Sequence, residues 1–311
     1  MTDTARITST EITIEAPAGP LVATVWDTPS TPHAPTTTAA ERETIVLVHG
    51  MKDTGHAWRR VAEALAPTYR VIAPDLRGHG ASPWSADRLY AMSGFVADLN
   101  ALVTAVSAKP VMLVAHSLGG NIALRFAAAR SDIVHALVVV EGIGPSPSKA
   151  GEEEKSSAAE RQRDWLARHA CLAHTAPRPV SDASAAADIL QKANPALDRP
   201  LALTMAHRAT RVIDVAHGTT RVWAHDPALG AIIPEDYSHT RKMEMFGEIT
   251  CPVLLVYGGA SWASNPADDG RLAHFRDADL VVMPSAGHWP HHDDAPAFTA
   301  CVRRFLERTS A

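Results

Sequence analysis

A strand-like segment that ends at a serine and leads into a helix-like segment is the feature that most constrains this chain. Residues 111–116 form a mostly apolar run, Ser117 follows, and residues 121–130 are alanine-rich with apolar side chains at helical spacing. The pattern predicts a strand, a sharp turn with Ser117 at its apex, and a helix. Ala115 and Gly119, two positions before and after the serine, are small enough to let strand and helix approach closely.

Further apolar runs alternate with helical segments along the chain. They lie at residues 44–48, 69–74, 136–140, 252–257 and 279–283. Runs of this kind are typical of strands buried on both faces, and their alternation with amphipathic helices indicates an α/β fold with a mostly parallel central sheet flanked by helices. Residues 7–14 and 21–26 alternate in polarity and predict two antiparallel strands. Residues 28–40, rich in threonine, proline and alanine, predict an exposed loop.

Charge and cysteine content exclude several classes of function. The 311 residues carry a net charge of −5, which gives no electrostatic basis for binding nucleic acid or an anionic membrane. The three cysteines are far apart, so neither a disulfide framework nor a zinc ribbon is expected. The amino terminus lacks an apolar signal core and no apolar run is long enough to span a bilayer, which favours a cytoplasmic protein.

The middle of the chain differs in character from the rest. Residues 146–247 contain charged and alanine-rich helical stretches and no convincing buried strand. These helical stretches lie at 148–169, 180–192 and 201–211. We therefore predict a core domain of residues 1–143 and 248–311, with residues 144–247 inserted as a helical cap.

Four short motifs occur in a specific order between these elements. They are His49-Gly50, Asp75 to Ser82 (D-x-R-G-x-G-x-S), Ala115 to Gly119, and Gly287-His288-Trp289. With these motifs the chain resembles the α/β-hydrolases that carry an inserted cap. The serine motif departs from the usual G-x-S-x-G of that family at Ala115. The resemblance covers residues 7–143 and 248–308 well and the middle poorly.

The resemblance implies a catalytic triad in the chain order serine, acid, histidine. Ser117 is then the nucleophile, and His288, on the loop after the last strand, is the base that a serine hydroxyl needs at neutral pH. The backbone N–H groups of Met51 and Leu118 would form the oxyanion hole.

The acid of this triad has two alternatives. In most relatives it is an aspartate on the loop after the penultimate strand, but residues 258–265 contain no carboxylate. Asp268 and Asp269 come later and fit the first turn of a helix, where the helix dipole favours negative charge. Glu141 directly follows the sixth strand, where some α/β-hydrolases keep their acid, and its longer side chain can reach the histidine from there. We favour Glu141 and keep the two aspartates as the alternative.

Residues beside the triad are candidates for contact with substrate. Lys52 and Asp53 follow the predicted oxyanion residue, with surface charge as the alternative role. Trp262, Trp289 and Trp223 lie in loops or in the cap and could line an apolar pocket, although core packing explains each one equally well.

No cofactor or metal is expected. The run His291-His292-Asp293-Asp294 is the only cluster of potential ligands, and consecutive residues rarely converge on one ion. A helix start with a capping aspartate explains the run more simply.

The expected activity is that of a cofactor-free serine hydrolase acting on a small to medium, largely apolar ester or lactone through an acyl-enzyme intermediate. A C–C bond hydrolase or an acyltransferase would use the same triad, and a non-catalytic ligand-binding protein of this fold is a rival of another class. Serine at position 117 argues against epoxide hydrolase and dehalogenase chemistry, for which similar proteins use aspartate. The oligomeric state is left open, a homodimer included.

Overall fold

A computed structural model describes residues 7–27, 42–153, 155–216, 218–234 and 237–309. The strands are β1 (Thr8–Ile14), β2 (Leu21–Asp27), β3 (Thr44–Val48), β4 (Arg70–Pro74), β5 (Val111–His116), β6 (Val134–Val140), β7 (Pro179–Val180), β8 (Thr210–Val215), β9 (Gly218–Trp223), β10 (Val253–Gly258) and β11 (Ala278–Met283). The helices are α1 (Arg59–Leu65), α2 (Met92–Val106), α3 (Leu118–Ala129), α4 (Pro147–Glu153), α5 (Ala158–Leu172), α6 (Ala183–Ala193), α7 (Arg199–Ala209), α8 (His239–Phe246), α9 (Pro290–Asp293) and α10 (Ala295–Thr309). The loop predicted at residues 28–40 lies outside the described residues. Within the described ranges, no helix combines the length and the apolar character needed to cross a membrane.

Eight strands form the main sheet, in the order β1-β2-β4-β3-β5-β6-β10-β11. β2 pairs antiparallel with β1 and with β4, whereas every pair from β4 to β11 is parallel. The predicted antiparallel pair and the mostly parallel sheet are therefore confirmed. Because parallel strands end at the same edge of a sheet, the residues that follow β3, β5, β6, β10 and β11 gather at one edge.

The buried side chains divide between the two faces of this sheet. In β3, Val46 and Val48 pack in one core cluster with α2 and α3, whereas Ile45 and Leu47 pack in a second cluster with α1 and α10. All four side chains are inaccessible to solvent. A strand covered by helices on both faces needs apolar residues at every position, which explains its unbroken apolar run.

The middle segment contains a small sheet in addition to helices α4 to α8. β7, β9 and β8 pair antiparallel in that order, and the sequence analysis did not predict these strands. The helix predicted over 201–211 ends at Ala209 because Thr210 begins a stretch rich in β-branched residues, which favour a strand. Most residues of β8 are exposed, so the strand lacks the apolar run that marks a buried one.

Buried polar contacts attach the middle segment to the core. Asp226 is fully buried, and its carboxylate accepts a hydrogen bond from the Tyr90 hydroxyl at 2.7 Å and lies 2.6 Å from the Arg88 guanidinium. Its backbone N–H donates to the Gly78 carbonyl at 2.8 Å. Gly78 belongs to the D-x-R-G-x-G-x-S motif, so this motif has a structural role in holding the middle segment.

The junction between α3 and the end of β6 leaves no room for a side chain at Gly120. A Cβ atom there would lie 2.7 Å from Gly142 Cα and 3.0 Å from Val139 Cγ1.

We expect Gly120→Ala to lower the free energy of unfolding by about 1–3 kcal/mol, the usual cost of overpacking, as measured by urea denaturation. The control is Gly151→Ala in α4, where no atom lies within 4 Å of the added Cβ. That variant should be unchanged or up to about 1 kcal/mol more stable. Equal losses in both variants would contradict this description of the packing.

Candidate active site

Ser117 occupies a strained turn between β5 and α3. Its backbone has φ 51° and ψ −114°, a conformation that costs a non-glycine residue of the order of 1–3 kcal/mol. Gly119 allows α3 to pass close to β3, since a Cβ atom there would lie 2.5 Å from the Val48 carbonyl oxygen. Ala115, in place of the family's usual glycine, is completely buried in the core. The predicted strand, turn and helix are confirmed.

His288 follows β11 and places its ring between a hydroxyl and a carboxylate. Its Nε2 atom lies 3.2 Å from Ser117 Oγ, and its Nδ1 atom lies 3.0 Å from Glu141 Oε2. A carboxylate only accepts hydrogen bonds, so Nδ1 carries the ring proton and donates it to Glu141. The bare Nε2 then accepts from the Ser117 hydroxyl, which is the tautomer that a base for this serine requires.

Glu141 is fixed at the end of β6 by three donors. Its backbone takes the left-handed conformation with φ 54°, and its side chain is buried. Oε1 accepts from the Gly258 N–H at 2.7 Å, and Oε2 accepts from the Ser261 hydroxyl at 2.7 Å as well as from His288. These hydrogen bonds replace the water that the carboxylate loses on burial, so the carboxylate holds a fixed position beside the ring.

The two alternative acids make other contacts. Asp268 and Asp269 lie in a turn that ends at the left-handed Gly270 (φ 83°), not in the first turn of an α-helix as predicted. Asp269 accepts a hydrogen bond from Arg271 Nε at 2.8 Å. In the part of the chain that the structure describes, neither aspartate makes a hydrogen bond or an ion pair with His288.

Two further side chains position the members of this group. The Ser261 hydroxyl donates to Glu141, although the sequence offered no signal for Ser261 beyond the missing carboxylate in its loop. His116 Nε2 donates to the His288 backbone carbonyl at 2.9 Å and so ties the histidine loop to β5. This hydrogen bond gives His116 a positioning role beside the site.

A cavity of about 380 Å³ opens at Ser117. Its wall includes the two predicted oxyanion residues, Met51 and Leu118, together with Glu141 and His288. Leu118 is the first residue of α3, where backbone N–H groups have no acceptor within the helix. Both predicted oxyanion residues thus border the space that a carbonyl attacked by Ser117 would occupy.

Only one of the five predicted substrate contacts lines this cavity. Trp262 does so, with its ring centroid 4.7 Å from that of His288 and 71% of its surface exposed. The residues that do not line it are Lys52, Asp53, Trp223 and Trp289. Contact of these four residues with substrate is therefore not supported by the lining of this cavity and stays a prediction.

The four residues have other surroundings. Trp223 is buried in a separate core cluster of the middle segment. Lys52 is exposed, and the Asp53 carboxylate accepts from the Thr54 N–H at 2.9 Å. The Trp289 ring packs edge-on against His288, with centroids 5.3 Å apart, and therefore supports the histidine without facing the cavity.

The run from His291 to Asp294 covers most of α9 and the residue before α10. Asp293 Oδ2 accepts from the Gly287 N–H at 2.7 Å, and Asp294 Oδ1 accepts from a backbone N–H in the first turn of α10. His291 and His292 are buried. Among the residues that the structure describes, no group of three or more His, Cys, Asp or Glu side chains is arranged to hold a metal ion.

Several imidazoles of the core are buried, and burial lowers their pKa values. They are His49, His56, His79, His116, His291 and His292. Loss of hydration is the largest cause in each case, because a charged imidazolium is costly away from water. The pKa falls to about 4 for His49 and His56 and to about 3 for His292.

Because these histidines have lowered pKa values, we expect the free energy of unfolding to fall in acid. Below the unfolded-state pKa of about 6.5, the unfolded chain takes up protons that the native imidazoles do not, so stability falls from about pH 6.5 towards pH 4. Each such proton contributes a slope of about 1.4 kcal/mol per pH unit. Urea titrations between pH 8 and pH 4.5 should show this decline, and His56→Gln should reduce the slope by about one proton.

Three carboxyl groups whose pKa values are raised by loss of hydration, Asp53, Asp75 and Asp98, act in the opposite sense. Burial raises the pKa of Asp53 to about 7 and that of Asp75 to about 6, so the native state binds protons there that the unfolded state releases. Stability from these groups is therefore lost as the pH rises towards 7. They are fewer than the histidines, so the net slope should follow the histidines. A free energy of unfolding that is constant or rises between pH 6.5 and pH 4.5 would contradict the prediction.

Comparisons with known proteins agree with the fold. A family model described as alpha/beta hydrolase fold matches residues 43–295. The pimeloyl-[acyl-carrier protein] methyl ester esterase of Chromobacterium violaceum is 32% identical over 277 residues, which cover 85% of this chain and 94% of that protein. The sn-1-specific diacylglycerol lipase of Mus musculus is 28% identical over 267 residues, 84% of this chain and 80% of that protein. Among solved structures, a thioesterase domain from the curacin biosynthetic pathway superposes with a TM-score of 0.79 at 25% identity, covering 96% of this chain and 99% of that one.

Proposed function

This chain belongs to the α/β-hydrolase family, and on that premise we propose that it is a serine hydrolase that cleaves a carboxylic ester, open-chain or cyclic, through an acyl-enzyme intermediate. The observation that carries the proposal is the continuous series of contacts from Ser117 Oγ through the His288 ring to the Glu141 carboxylate. A serine hydroxyl is a poor nucleophile by itself, and this series supplies the base and the acceptor that activate it.

In the proposed first half-reaction, Ser117 Oγ attacks the ester carbonyl while His288 Nε2 takes the hydroxyl proton. The imidazolium that forms is stabilised by Glu141, which stays ionised. The N–H groups of Met51 and Leu118 stabilise the negative charge that develops on the carbonyl oxygen. As the tetrahedral intermediate collapses, His288 donates its proton to the leaving alcohol and the acyl group remains on Ser117.

In the second half-reaction, a water molecule replaces the alcohol. His288 Nε2 takes a proton from the water, and the resulting hydroxide attacks the acyl carbonyl. His288 then returns the proton to Ser117 Oγ, and the carboxylic acid leaves. The net reaction consumes one water molecule, restores the neutral imidazole and needs no cofactor.

The names of the related proteins support an acyl bond to oxygen or sulfur as the bond that is cleaved. The relatives described above are named as an esterase, a lipase and a thioesterase. A C–C bond hydrolase would use the same three side chains, but no contact in the cavity favours it. A panel of p-nitrophenyl esters, lactones, thioesters and vinylogous diketones separates these chemistries.

Covalent labelling tests whether Ser117 is the nucleophile. A fluorophosphonate probe should label the native protein at Ser117, because an activated serine attacks the phosphorus atom. Ser117→Ala should lose the label and should lower kcat for p-nitrophenyl esters by about 10³-fold or more. A native protein that resists the probe, or a label carried by another residue, would contradict the proposal and favour a non-catalytic ligand-binding protein.

Substitution of the acid tests the role of Glu141. Gln at position 141 keeps the size of the side chain but can no longer fix the tautomer or offset the imidazolium charge, so kcat should fall by about 10³–10⁴-fold. The matched control is Asp268→Asn, which should retain near-normal kcat. Circular dichroism on both variants checks that the fold is intact. Near-normal activity in Glu141→Gln together with loss in Asp268→Asn would reverse the assignment.

A further inference from the structure

Lys149 brings a positive charge to the wall of the cavity at Ser117. It lies in α4, is exposed, and lines the cavity together with Trp262. Its Nζ atom lies 5.4 Å from the centroid of the Trp262 ring, and that centroid lies 4.7 Å from the His288 ring. An ammonium over an exposed aromatic face gains only a modest interaction, so the charge remains available to a stronger partner.

The other polar side chains of the wall already have partners. Glu141 accepts its three hydrogen bonds, so its charge is engaged beneath His288. Asn121 donates to a backbone carbonyl and accepts from a neighbouring guanidinium, and the Ser264 hydroxyl donates to an aspartate. Among the side chains that the structure describes, no carboxylate pairs with Lys149. Among the described side chains of this wall, the ammonium is therefore the charged group without an opposite charge.

Arg271 fixes the two sides of the cavity that carry Lys149 and Trp262. Its guanidinium is 2% exposed and donates to the carbonyls of Gly144, at 2.7 Å, and Ser264, at 2.8 Å. Gly144 shortly precedes α4, and Ser264 follows Trp262 in the loop after β10. A site whose edges are held by a buried side chain loses little conformational freedom when a ligand binds.

From this arrangement we infer that Lys149 and Trp262 form a subsite for a carboxylate on the substrate, separate from the ester carbonyl. The inference rests on the proposed function, because Ser117 must attack a carbonyl that lies in the same cavity. A single ammonium matches the charge of one carboxylate, and the Trp262 face packs against the chain that joins the carboxylate to the ester. The substrate is then a monoanionic half-ester, which is more polar than the largely apolar ester or lactone expected from the sequence.

Matched pairs of esters test this subsite. The charged members are the p-nitrophenyl half-esters of succinic, glutaric and adipic acids, and the neutral members carry a terminal carboxamide in place of the carboxylate. For at least one chain length, the native protein should have a higher kcat/KM for the charged ester. Lys149→Met should lower this charged-to-neutral ratio by about tenfold, the scale of one hydrogen bond to a charged group, and Lys149→Glu should lower it further. Added salt should weaken the preference.

The control variant is Lys155→Met, which removes an equal charge from an exposed site outside the cavity wall. Its charged-to-neutral ratio should equal that of the native protein. A ratio unaffected by Lys149→Met, or no preference for charge at any chain length, would overturn the subsite. The neutral esters keep this outcome distinct from failure of the proposed function, since they report the activity of Ser117 without the carboxylate.

Covalent labelling covers the case in which none of these esters is cleaved. Glutarate or adipate should then slow fluorophosphonate labelling of Ser117 more than the corresponding monoacids do, and Lys149→Met should abolish the difference. Equal protection by diacids and monoacids would overturn the subsite. If the probe does not label Ser117 at all, both the proposed function and the subsite are contradicted.

Discussion

The hydrogen bond from His288 Nδ1 to Glu141 is the contact on which the site depends. It joins the loop after β11 to the end of β6, and β10 lies between these two strands in the sheet. The loop after β10 supplies the Gly258 N–H and the Ser261 hydroxyl that hold the carboxylate. Three consecutive strand ends thus cooperate to orient one imidazole towards Ser117, and the parallel sheet is what brings them to the same edge.

The same sheet maintains two unfavourable backbone conformations at this edge. Ser117 and Glu141 have φ values of 51° and 54°, which non-glycine residues rarely adopt. Each follows a buried strand directly, and the two turns meet where a Cβ atom on Gly120 would lie 2.7 Å from Gly142 Cα. Close packing of strands and helices around both turns determines these conformations. Two of the four described non-glycine residues with positive φ are thus the predicted nucleophile and its predicted acid.

Most of the fold could be predicted from the sequence because buried parallel strands have continuous apolar runs, as at residues 44–48 and 111–116. The strands β7, β8 and β9 were missed because an exposed short strand has no such run. Ser117, His288 and Glu141 could be proposed from their positions after strands. The contact of Ser261 with Glu141 could not be predicted, because it depends on the conformation of the loop after β10. The periodicity of apolar residues carries no information about loop conformation. For the same reason, the sequence could not show that Trp223 and Trp289 lie outside the wall of the cavity.

The middle segment and the core share the wall of the cavity, since Gly144 and Lys149 line it together with Ser117, Trp262 and His288. The most direct test of the central claim is a crystal structure of the protein after reaction with a phosphonate that bonds to serine. We expect phosphorus on Ser117 Oγ, its oxygen within hydrogen-bond distance of the Met51 and Leu118 N–H groups, and the Nδ1 atom of His288 still on Glu141. An adduct in which the His288 ring contacts Asp268 or Asp269 instead, with Glu141 turned away, would contradict the account.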